Sequence, residues 1–176
     1  MNQLPRRHFT AALVGGLVLP GLAIPTLAFA KDTALPVPES LPAAAKVAAA
    51  KKEPLVLLVS LPGCPYCEVV RRNYLLPARN EAGLHAWQLN ITDRSTPLIG
   101  FDGKATTAAV QIATWKAGFT PTVLFLDSLG QEVAERLVGL ASVDFYGAYL
   151  DERLANARKA LAGSPVGSST GTGRKV

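Results

Sequence analysis

The stretch Leu61-Pro62-Gly63-Cys64-Pro65-Tyr66-Cys67 decides how this chain is read. It holds the only 2 cysteines among 176 residues, separated by a Pro-Tyr dipeptide. Three chemistries could use such a pair: a structural staple, a metal clip or a redox centre. The flanking residues discriminate among them. Upstream, Pro54-Leu55-Val56-Leu57-Leu58-Val59-Ser60 is a short apolar run, the pattern of a strand covered on both faces. Downstream, Glu68–Leu75 reads as a helix that stops near Pro77. Cys64 thus lies where a buried strand becomes a helix. Unpaired backbone N–H groups and the helix dipole favour a thiolate there, and the thiolate is the reactive form of cysteine. Pro65 suits the first helical turn because it has no N–H to satisfy. Cys64 is then the candidate nucleophile and Cys67, one turn on, the candidate resolving thiol.

The other chemistries fit less well. A disulfide across 2 intervening residues closes a tiny loop, and loop entropy credits short loops with little stabilisation. A structural zinc uses four Cys or His ligands. Beyond the cysteines the chain has only His8 and His85. Copper(I) accepts fewer soft ligands, but the single methionine is Met1, so a metal site would need a partner chain. Neither a metal nor another cofactor is expected.

The first thirty residues read as a cleaved signal peptide, 1–30. Arg6 and Arg7 open it, Ala11–Leu27 carries no charge, and Ala28-Phe29-Ala30 has the small-residue cleavage pattern. Arg6-Arg7-His8-Phe9 partly matches a twin-arginine signal, and Sec export is the other route. Either implies a periplasm-like compartment that permits disulfide chemistry, with membrane contact only during export. The full chain has a formal charge of +5; without residues 1–30, 16 basic residues face 13 acidic ones, a balance of +3. No basic run with interleaved aromatics supports nucleic-acid binding.

Residues 31–41 are Pro-rich and read as a loose linker, 42–162 as one domain, and the Gly/Ser/Thr-rich 163–176 as a disordered tail. Within the domain, Ser40 can cap a helix over Ala43–Lys52. Ala86–Ile91 alternates like a strand, Thr92–Lys104 is a polar loop, and Ala105–Ala117 is helical. Pro121–Asp127 is a second apolar strand, followed by a turn and a return strand, Glu132–Val138. Ser142 can cap a last helix to Leu161. The order is α-β-α-β-α-β-β-α. Trp87 and Trp115 read as core residues, His85 as a surface or edge residue, and Arg71 and Arg72 as a solvated helix face that could bias docking toward acidic partners.

This pattern resembles the thioredoxin superfamily over residues 43–161. The apolar strand, the Cys64–Cys67 motif at a helix start, Thr120-Pro121-Thr122 before the next buried strand, and the hairpin ending at Gly139 occur in the family's order. The closest likeness is to periplasmic thioredoxin-like proteins of sulfur oxidation and cytochrome maturation. The resemblance implies an α/β thioredoxin fold with a central mixed four-stranded sheet flanked by helices. It also implies a cis Thr120–Pro121 peptide facing Cys64, with the backbone of Thr120 free to pair with a substrate strand. The expected activity is thiol–disulfide oxidoreduction using the cysteine pair alone, with reduction of client disulfides as the first reading and a disulfide oxidase or isomerase, or a copper(I)-handling or redox-inactive binding module, as the alternatives. The expected partners are client protein thiols or disulfides and a membrane thiol–disulfide electron donor or acceptor. Pro65 and Tyr66 match the glutaredoxin CPYC dipeptide and are the candidate redox-tuning residues. Two positions depart from thioredoxins. The buried acid six residues before the first cysteine is Leu58 here, and the usual preceding tryptophan is Gly63.

Overall fold

The computed structural model describes residues 34–163. The signal peptide over 1–30 and the tail beyond Gly163 lie outside the described residues. The first helix, α1 (Leu41–Ala49), is capped by Ser40, whose hydroxyl accepts from the Ala43 N–H at 3.3 Å. Strand β1 (Leu55–Ser60) is buried at every position. It pairs in parallel with β2 (Ala86–Asn90), so Leu58 faces Gln88 in register. Its other neighbour is antiparallel: β5 (Thr122–Leu126), with Leu58 opposite Val123 and Val59 opposite Thr122. The short β6 (Leu137–Val138) closes the mixed four-stranded sheet in the order β2-β1-β5-β6.

The continuous apolar run of β1 follows from helices on both faces. Successive side chains point to opposite sides. Val56 and Leu58 join Val70, Leu75, Phe125 and Leu150 in one cluster. Leu55, Leu57 and Val59 join Leu41, Ala48, Ile112 and Leu124 in the other. The second cluster is covered by α1 and α4 (Ala108–Thr114). The first is covered by the helix after the cysteines and by α5 (Val143–Gly163). Trp87 and Trp115 are half-buried and pack against the second cluster.

Four local expectations change. The helix after the cysteines does not stop at Pro77. It runs as α2 (Pro65–Val70), a π turn (Arg71–Leu75) and α3 (Leu76–Ala82). A proline inside a helix lacks the N–H and crowds the carbonyl four residues back. Here the preceding turn is widened, with the Leu76 N–H bonded to the Arg71 carbonyl five residues earlier, and the helix passes through Pro77. The polar loop over Thr92–Lys104 contains β3 (Leu98–Ile99), which pairs antiparallel with β4 (Ala105–Thr106); the next helix consequently starts only at Ala108. The return strand shrinks to Leu137–Val138 with a lone bridge between Leu126 and Glu132, and in the gap Glu132 pairs with Arg136, which also donates to the Trp115 carbonyl at 3.0 Å.

The Pro-rich stretch is docked rather than loose over residues 34–40. Leu35 is 2% exposed within the first cluster. The Pro36 carbonyl accepts from the Gln88 N–H, and the Glu39 carbonyl from the Ile99 N–H, each at 2.9 Å. Proline does not prevent this, since these residues contribute carbonyls, which proline retains.

His85 lies half-buried just before β2. Burial, helped by the charges of Lys51 and Arg79, holds its imidazole below the ordinary 6.5. The unfolded chain therefore takes up a proton that the folded one resists. Stability falls as pH drops below about 6.5, over a window set by that depressed pKa. Urea midpoints measured from pH 7.5 to pH 5 should show this slope, and His85→Gln should flatten it.

Candidate functional site

The C-terminal end of β1 delivers the chain into Leu61-Pro62-Gly63, and Gly63 turns it with φ +74°. That left-handed backbone explains why a tryptophan is not found here, since any side chain at this φ is strained. Gly63→Ala is expected to cost about 1 kcal/mol in urea unfolding, although a Cβ there meets nothing within 4 Å. The loss would reflect backbone conformation alone.

Cys64 is the cap of α2. Its sulfur accepts from the Cys67 N–H at 3.2 Å, and its carbonyl accepts from the Glu68 N–H at 3.2 Å. Pro65 takes the first helical position. Cys64 and Cys67 are joined as a disulfide, with Cα atoms 5.3 Å apart. The two sulfurs are not equivalent. Cys64 is half-buried, whereas Cys67 is 0% exposed. Tyr66 projects outward, 62% exposed.

Because β1 and β5 are antiparallel, the start of β5 lies at the cysteine end of β1. Thr120–Pro121, immediately before β5, is a cis peptide. Pro121 is buried and Thr120 half-buried. The loop is tied at both sides: the Pro121 carbonyl accepts from the Gly139 N–H, and the Thr122 hydroxyl donates to the Phe119 carbonyl, each at 2.7 Å. The topology thus brings Cys64, Cys67, Thr120 and Pro121 to one end of the sheet, with Leu61, Tyr66 and Phe119 exposed around them.

Leu58 is 0% exposed and set in the first apolar cluster, so no acid lies beneath the pair at that position. The polar groups are beside it instead. A cleft of about 200 Å³ is lined by Ser60, Leu61, Gly63, Glu68, Arg71 and Gln88 among others. Arg71 was expected on a solvated face, but its side chain is only 14% exposed. It donates to Gln88 Oε1 at 2.8 Å and to Ser60 Oγ at 3.2 Å, and it pairs with Glu68. Arg72, 75% exposed, does sit on a solvated face and pairs with Glu68 at 2.9 Å. Hydrogen bonds from Arg72 and then Arg71 hold the Glu68 carboxyl below its usual range. The sequence hint of the buried Arg71 was its spacing, four residues after Cys67 and so on the same helix face.

Among the described residues, no three His, Cys, Asp or Glu side chains converge as metal ligands. The geometry suits thiol–disulfide exchange: one reachable sulfur, one protected sulfur a turn away, and a reversible bond between them.

No curated protein sequence matches the chain. Among solved structures, poplar thioredoxin h is 20% identical over 61% of this chain and 82% of its own, with a TM-score of 0.43. Oxidised thioredoxin O2 from Arabidopsis thaliana is 16% identical over 68% of this chain and 93% of its own, with a TM-score of 0.43. A thioredoxin-fold protein from Helicobacter pylori is 18% identical over 63% of this chain and 83% of its own, with a TM-score of 0.35. The profile of the thioredoxin-like domain matches residues 41–154, which spans the sheet, the cysteine pair and the Thr120–Pro121 loop; the chain belongs to the thioredoxin-like domain family.

Proposed function

We propose that this protein is a periplasmic thiol–disulfide oxidoreductase that reduces disulfides of a client protein, in the manner of the sulfur-oxidation and cytochrome-maturation thioredoxin-like proteins it resembles. The observation that carries the reading is the asymmetry of the pair: Cys64 half-buried at the helix cap, Cys67 fully buried one turn on. In the reduced protein the Cys64 thiolate attacks one sulfur of the client disulfide. The client S–S bond breaks and the first client thiolate leaves. Cys67, as its thiolate, then attacks Cys64 Sγ, expels the second client thiolate and forms the Cys64–Cys67 disulfide. Two electrons pass to the client, and the protons of the pair end on the client thiols. The backbone beside Pro121 is placed to pair with an extended client segment as the mixed disulfide forms. A membrane thiol–disulfide donor resets the pair. Export by a twin-arginine or Sec signal places the protein where this exchange is needed.

The direction of flow is tested by the reduction potential of the pair, read by alkylation mass shift in glutathione or dithiothreitol buffers. A value near about −270 mV supports the reductase. A value near about −120 mV makes it an oxidant of client thiols and reverses the direction. A pair that does not cycle shifts the reading to a copper(I)-handling or redox-inactive binding module, separable by copper(I) retention against a chelator.

A further inference from the structure

We propose that Arg71 is the electrostatic tuning residue of the cysteine pair, a fixed cation that favours the thiolate of the reduced site in a protein that lacks the buried acid of thioredoxins. The inference rests on the redox reading above. Arg71 follows Cys67 by one turn, and its backbone N–H donates to the Cys67 carbonyl. Long helical side chains lean back toward the N-terminus, over the residues three and four before them. The contacts of Arg71 show that lean: its guanidinium reaches Glu68 and Ser60, the last residue of β1, and it lines the cleft walled by Leu61 and Gly63 just ahead of Cys64. Bonds to Gln88 and Ser60 hold the charge in place at 14% exposure. A charge held out of bulk water acts more strongly on its neighbours and is screened less by salt.

The other ionisable groups near the pair are few. On its own helix these are Glu68 and Arg72 beyond Arg71, with Tyr66 exposed at the motif and Tyr74 turned to α5, where its hydroxyl donates to the Val143 carbonyl. Strands β1 and β2 and the segment Gly118–Thr122 bring no ionisable side chain. Glu68 is the one anion on this helix beside the pair, and two arginines hold it ionised, which makes it a poor proton acceptor. Arg72, 75% exposed, is screened by solvent and shares Glu68, so the enclosed Arg71 is the cation whose field bears on the cysteine end of the helix. A thiolate in that field is favoured over the uncharged thiol, and the disulfide, which carries no charge, is unaffected. The reduced state therefore gains relative to the oxidised one.

The test is the redox equilibrium of the mature protein with glutathione, together with the pH profile of thiol alkylation. Arg71→Gln should shift the equilibrium about tenfold toward the disulfide, a potential about 30 mV more negative, and should move the alkylation profile to higher pH. Arg71→Lys keeps the charge and should recover most of the shift. Glu68→Gln, at an exposed carboxylate, should move both readouts the opposite way without threatening the fold. If Arg71→Gln and Glu68→Gln leave potential and pH profile where they were, even with altered melting temperature, Arg71 is a structural residue and the proposal fails. A wild-type pair that cannot cycle would overturn the redox reading itself, and this inference with it.

Discussion

Cys67→Ser is expected to accumulate as mixed disulfides with client proteins, while Cys64→Ser accumulates none. The difference follows from burial. Cys64 keeps part of its surface in solvent and can meet a client sulfur, whereas Cys67 has none. Removing Cys67 leaves the attacking sulfur but deletes the thiol that expels the client, so the first covalent product persists. Removing Cys64 leaves a thiol that no client can reach. Steady-state disulfide reduction should fall by roughly a hundredfold or more in both variants, since serine is not a nucleophile of comparable strength without an adjacent base. Non-reducing gels of protein captured from periplasmic extract, with thiols quenched by acid, distinguish the two. Equal trapping by both variants would mean that the sulfurs exchange roles, contrary to their burial.

The second large effect is expected at Leu58. Restoring an acid with Leu58→Asp should destabilise the protein by about 3–5 kcal/mol at neutral pH, because an uncompensated carboxylate would be buried. Leu58 lies between Val123 and Gln88 in the sheet and is fully buried, its side chain set in the first apolar cluster. The Gln88 side-chain amide is already engaged, donating to the Leu35 carbonyl at 2.8 Å and accepting from Arg71. Burial raises the carboxyl pKa above its unfolded value of about 3.9. The variant should therefore regain stability as pH falls below that raised pKa and lose it as pH rises through it. Urea midpoints at pH 5 and pH 7.5 give the sign directly. A variant as stable as its parent at neutral pH would mean that the sheet centre admits water or a counter-charge.

The parts of this architecture legible in the sequence are those set by local chemistry. Leu55–Val59 is apolar at consecutive positions, the pattern of a strand covered on both faces, and the cysteines follow closely. Thr120-Pro121 precedes a second apolar strand, and the order of these elements carried the resemblance. What stayed hidden depends on partners distant in sequence. Nothing near Arg71 announces Ser60 and Gln88, which reach it through the β1–β2 register. The π turn was illegible because proline usually ends a helix, and the compensation lies in the hydrogen-bond spacing before it. Two-residue strands such as Leu98–Ile99 and Ala105–Thr106 are too short to show a period.

The docked stretch at residues 34–40 bears on what another chain could reach at the sheet's edge. Strand β2 is the sheet's outer member on that side, and an uncovered outer strand is a template for another chain's backbone. The Pro36 carbonyl occupies the Gln88 N–H, Leu35 is buried behind it, and Pro36 has no N–H of its own to offer a further strand. A fragment trimmed to the family-matched boundary at Leu41 would shed this cover and bare a ladder edge, making the domain a seed for intermolecular sheet growth.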